Sequence, residues 1–140
     1  MTPVTYAAIT LVTALAAATA AGWLLNRRSG VLRPVAEDVA AADLGDLGLS
    51  RTGPTIVHFS AVWCGPCAGV RQVVNRVCAD NPGVAHVEID MDADPATARR
   101  LSVLSLPTTF VFDAEGRQRY RSAGVPSVAD LRSALSPLLA

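Results

Sequence analysis

The run Thr55-Ile56-Val57-His58-Phe59-Ser60, followed by Ala61-Val62-Trp63-Cys64-Gly65-Pro66-Cys67, decides how the rest of the chain is read. Its first six residues are mostly β-branched or apolar, the composition of a buried strand. After the second cysteine, the apolar residues from Val70 to Val77 suit a helix, so a helix is expected over Cys64 to Ala79. A Cys-x-x-Cys pair between a strand and a helix reads as a dithiol/disulfide switch. At a helix N-terminus, unpaired N–H groups and the helix dipole favour a thiolate at Cys64, the form that attacks disulfides. Taken alone, the pair also fits half of a zinc site, for which His58 and His86, the only histidines, are the available additions.

Downstream, Asn81-Pro82-Gly83 is a turn, and Val84 to Asp90 alternates apolar and polar residues as a strand does. Asp94 followed by Pro95 is a helix start, a capping acid and then proline at the first helical position; this helix is expected to reach about Leu101. Leu106-Pro107-Thr108 precedes a strand over Thr108 to Phe112. The turn Asp113 to Gly116 leads into a strand over Gln118 to Ser122. Ser127 with Asp130 three residues on resembles a capping box for a last helix. Upstream, Ala36 to Leu44 suits a short helix, and Gly45, Gly48 and Gly53-Pro54 break the pattern after it.

Trp63 to Cys67, with the strand Val87-Glu88-Ile89-Asp90 and the stretch Val103 to Thr109, resembles the thioredoxin family over about Gly53 to Leu139. The resemblance implies an α/β thioredoxin fold, a central mixed sheet flanked by helices, and protein-disulfide reductase activity. It implies Cys64 as nucleophile and Cys67 as the thiol that resolves the mixed disulfide. Gly65 and Pro66 shape the turn and tune its redox balance; the Gly-Pro pair is similar to that of reducing members. Pro107 is implied to be cis, leaving the backbone of Leu106 to pair with an extended client segment. Trp63 and Gly124 are implied to complete that groove.

The chain departs from the family pattern at three places. His58 stands where thioredoxins usually bury an acid, and His86 where a lysine commonly pairs with it. A neutral imidazole can accept a proton, so His58 is a candidate base for Cys67 or, alternatively, a satisfied core histidine. Gln72 replaces the proline usual in the helix. Cys78, eleven residues after Cys67, reads as a small buried hydrophobe or, alternatively, a regulatory thiol. No cofactor or metal is expected. With no flavin or nicotinamide motif, electrons must come from a donor such as a thioredoxin reductase or a membrane thiol carrier, and pass to disulfide-containing client proteins.

The first quarter of the 140 residues differs in kind. Val4 to Leu25 holds no charged residue, and at ~1.5 Å per residue this span is long enough as a helix to cross a bilayer core of about 30 Å. Trp23 suits an interfacial anchor. Ala18-Thr19-Ala20 resembles a signal-peptide cleavage site, but no Lys or Arg precedes the run, which is also longer than a signal h-region of roughly 7–15 residues. The expected organisation is a transmembrane anchor over 1–26, a linker over 27–35 and a thioredoxin-like domain over 36–140. Arg27, Arg28 and Arg33 follow the span and nothing basic precedes it, which places a single-pass protein's catalytic domain in the cytoplasm. The alternatives are an extracytoplasmic reductase for secreted or cytochrome-assembly thiols, and a non-catalytic adaptor. Formal charge is zero; residues 36–140 hold nine Arg against twelve acids, so no basic surface invites nucleic acid.

Overall fold

The computed structural model describes residues 2–35 and 45–140; the helix expected over Ala36 to Leu44 lies outside the described residues. Helix α1, Pro3–Asn26, is 24 residues long, apolar and exposed throughout, which makes it a candidate membrane span. The hydroxyls of Thr10, Thr13 and Thr19 donate back to carbonyls one turn earlier, so α1 presents no unpaired hydroxyl there.

Five strands form one mixed sheet in the order β1-β5-β4-β2-β3. They are β1 Arg33–Pro34, β2 Thr55–Ser60, β3 Ala85–Asp90, β4 Thr108–Phe112 and β5 Gln118–Ala123. Interior strand β2 pairs parallel with β3 and antiparallel with β4, and all six of its residues are buried. Helices α2 (Cys67–Asp80) and α4 (Val128–Leu135) cover one face of the sheet, and α3 (Pro95–Arg100) packs on the other.

The local signals explain most boundaries. Asp94 caps α3 by accepting from Thr97 N–H at 3.0 Å, and Ser127 caps α4 by accepting from Asp130 N–H at 3.0 Å. Two expectations are corrected. Helix α2 begins at Cys67, not Cys64, because its N-cap is Pro66, and the stretch before it is a turn closed by Cys67 N–H on the Cys64 carbonyl at 3.3 Å. The stretch 27–35 is more than a linker, since Arg33 and Pro34 pair antiparallel with Arg121 and Tyr120 and supply the edge strand.

Candidate active site

The register of the sheet assembles the site. Phe59, near the C-terminal end of β2, lies opposite Thr108, the first residue of β4. The loop leaving β2 therefore comes up beside the loop that enters β4, and these carry the two cysteines and Pro107. Cys64 and Cys67 form a disulfide with Cα atoms 5.5 Å apart. Cys64 is partly exposed, whereas Cys67 is 2% exposed and its Sγ lies 3.9 Å from the Phe59 carbonyl oxygen, an acceptor within reach of the reduced thiol.

The Leu106–Pro107 bond is cis. Leu106 precedes β4 and pairs with no strand among the described residues. Gly124 donates its N–H to the Pro107 carbonyl at 2.9 Å and has φ +96°, which favours glycine. Trp63 is 66% exposed and is held by its indole N–H donating to Asp92 at 2.8 Å. Gly65 and Pro66 are exposed between the cysteines. The groove residues read from the sequence thus gather at one end of the sheet. Asp92 was missed, since it lies 29 positions from its partner and nothing local to either marks the pair.

His58 is fully buried, on the face of β2 turned toward α2. Its Nδ1 is 2.8 Å from His86 Nε2, the two rings stack at 4.9 Å, and its Nε2 is 3.5 Å from Glu88 Oε1. Both nitrogens thus face β3. Burial lowers the His58 pKa to about 4, outweighing the pull of Glu88 in the other direction. Burial lowers His86 as well. Glu88 is held down at about 2, chiefly by its hydrogen bonds from Arg71, one of them 3.0 Å long, and also by Ser60, which donates at 2.7 Å. Glu88 and Arg71 were not singled out in the sequence; the alternation of β3 places Glu88 but gives no sign of its partner on α2. Cys78 is partly buried among the α2–α4 hydrophobics, and burial pushes its thiol up.

A surface disulfide between strand and helix, flanked by a cis-proline loop on a mixed sheet, defines a thiol–disulfide redox protein of the thioredoxin fold. Comparison with known proteins agrees. The Thioredoxin family model matches residues 46–136. The thioredoxin of Mycolicibacterium smegmatis is 39% identical over 108 residues, covering 75% of this chain and 92% of the relative. That of Chlamydia trachomatis is 35% identical over 74 residues, covering 53% and 72%. Among solved structures, chloroplastic thioredoxin z superposes with a TM-score of 0.57 at 30% identity, over 63% of this chain and 80% of that one. The chain belongs to the thioredoxin family and is a thiol–disulfide oxidoreductase.

Proposed function

We propose that this protein is a membrane-anchored reductase of protein disulfides, with residues 1–26 as its anchor and 36–140 as its catalytic domain. The observation that carries the catalytic reading is the unequal exposure of the two sulfurs. Cys64 is open to a client and Cys67, 2% exposed, is not. In this reading the Cys64 thiolate attacks one sulfur of a client disulfide. The client S–S bond breaks as the mixed disulfide forms, and the other client sulfur leaves as a thiolate. Cys67, once deprotonated, attacks Cys64 Sγ and expels the second client thiolate, leaving the Cys64–Cys67 disulfide. A donor such as a thioredoxin reductase or a membrane thiol carrier returns two electrons. Trp63, Gly65, Pro66, Leu106, Pro107 and Gly124 hold the client segment.

His58 enters as the proton acceptor for Cys67. Its burial and neutrality support that role, but both ring nitrogens lie against His86 and Glu88 on β3, so taking the Cys67 proton requires the ring to turn. A base held at about 4 is weak at neutral pH, however, so its benefit falls near tenfold rather than toward the upper part of the usual ~10²–10⁴ range. Supporting the anchor are the length and apolarity of α1, its internally bonded threonines, and Arg27 stacked on Trp23 with its guanidinium 3.4 Å from the ring centroid. The flanking arginines favour a cytoplasmic domain.

The test uses the pre-reduced full chain on an insulin-type disulfide. Cys64→Ser is expected to abolish reduction and Cys67→Ser to trap client mixed disulfides; wild-type turnover by Cys64→Ser would overturn the assignment. In intact cells, labelling of Cys64 by a membrane-impermeant thiol reagent would place the domain outside instead of in the cytoplasm.

A further inference from the structure

We infer that the dithiol end of the sheet faces the membrane surface, and that the clients are disulfides borne by uncharged juxtamembrane segments of integral membrane proteins. This rests on the anchor proposed above.

The register fixes where the chain enters the fold. Gly30 donates its N–H to the Ala123 carbonyl at 2.6 Å. Ala123 lies opposite Thr108, and Thr108 opposite Phe59, whose carbonyl lies against Cys67. From Gly30 the chain runs away from this end, with Arg33 opposite Arg121 and Val35 N–H on the Arg119 carbonyl at 3.0 Å. The segment that leaves α1 thus joins the sheet at the dithiol end. The turns at Gly53-Pro54, Gly83 and Asp113–Gly116 lie at the other end, about 20 Å away across a six-residue strand.

The connection is short and folded. Arg27, Arg28 and Ser29 donate their N–H groups to the carbonyls of Trp23, Leu25 and Asn26 at 3.0, 3.2 and 3.1 Å. Three residues separate Asn26 from Gly30, four Cα–Cα steps of at most about 14 Å in total even fully extended. The segment also fits its seat closely. A Cβ at Gly30, whose φ is +85°, would lie 2.1 Å from the Val125 carbonyl oxygen, and one at Gly124 would lie 2.9 Å from Gly30 N. The Val125 side chain in turn abuts Gly69, two residues beyond Cys67, where a Cβ would meet it at 3.5 Å. Anchor, cis-proline loop and dithiol helix are therefore linked by direct contacts, with no free tether between them.

The surface presented there suits such a client. The stretches 60–67, 102–107 and 124–129 contain no charged residue. Val62 is 93% exposed, Leu104 91%, Trp63 66% and Val125 38%. Three uncharged loops within reach of the headgroups, with the Asp92 carboxylate already engaged by the Trp63 indole, match segments that leave a bilayer and offer a charged soluble loop little to pair with.

The experiment places the full chain in lipid vesicles, reduces it with a dithiol and removes the excess. Two disulfide probes are compared, one on a lipid headgroup through a short spacer, the other on a soluble peptide. A second chain carries about twenty Gly/Ser residues between Arg28 and Ser29, enough to let the domain drift roughly 25 Å from the surface. The insertion is expected to slow reduction of the short-spacer probe about tenfold or more, through lost effective concentration, and to leave the soluble probe unchanged. Equal short-spacer rates for both chains, with each retained in the vesicles, would overturn this inference and leave the anchor standing. A wild-type chain that washes off the vesicles would end both.

Discussion

Alternate side chains of β2 enter two different interiors. Val57 and Phe59 join Phe110, Phe112, Ala98 and Leu101 in a cluster made of hydrocarbon. Ile56, one position along, joins Val70, Val74 and Val77 on the opposite face, but the next residue on that face is His58, and after it comes Ser60. Cross-strand pairing extends this into a row, Glu88 and Thr109 beside His58, with Ser122 beside Thr109. His58 Nε2, Thr109 Oγ1 and Ser122 Oγ have no hydrogen-bond partner among the described residues. One face is close-packed and insensitive to protons. The other becomes polar toward the end of the sheet where the dithiol sits. Within the sheet the buried histidine lies on the face that carries the dithiol helix, while the hydrocarbon face supplies stability; the buried carboxylate of Asp113 sits apart, in the turn at the far end, held by Arg117 and Arg119.

The contrast can be broken at several points. Phe59→Ala removes a fully buried ring from the hydrocarbon face and is expected to destabilise the domain by about 3–5 kcal/mol at every pH, read by denaturant unfolding. A loss under about 1 kcal/mol would mean that this face is not the stabilising one.

On the polar face the signature is pH dependence. The unfolded chain takes a proton at His58 near 6.5 and the folded chain only near 4, so between these values the unfolded state holds the extra proton. Stability should fall as pH drops from 6.5 toward 4, by on the order of 3 kcal/mol at most. His58→Leu should flatten that slope. Below 4.5 a further loss belongs to Glu88, whose contribution is complete above 4.5 and disappears as pH falls toward 2. Unfolding curves from pH 7 to 4 decide it; identical slopes for wild type and His58→Leu would remove the histidine from the acid response.

The same variant separates packing from proton transfer. Stopped-flow measurement should show resolution of the mixed disulfide by Cys67 slowed about tenfold in His58→Leu, with the first attack by Cys64 little changed. Equal resolution rates across neutral pH would reduce His58 to a packing residue. The smallest effect is expected at Thr109→Val, which replaces a buried, unpartnered hydroxyl with a methyl group of similar size. Stability should be unchanged or higher by about 1 kcal/mol. A clear loss would reveal a hydrogen bond made by Thr109 in solution.

Features written in local chemistry were legible in the sequence. The β-branched run of β2, the alternation of β3, the caps at Asp94 and Ser127, and the cysteine pair each depend on a few neighbouring residues, and the strand ends fall within one residue of expectation. What depends on register was not. Nothing in Arg33-Pro34 announces a strand, because the two residues become one only through pairing with β5. Arg71 reaches Glu88 from another element, and Asp92 meets Trp63 only after the loops converge. The start of α2 moved for a subtler reason, since Pro66 provides no side-chain cap and the chain turns once before the helix begins.

The sheet's edge has a consequence of another kind. Under the proposed anchoring, copies confined to one lipid plane would collide often, and an open strand edge would invite them to zip together. Here β1 spans only two residues, and one is Pro34, which has no N–H to offer an incoming strand. The short strand that follows α1 therefore also blunts one of the two edges of the sheet, the other being β3.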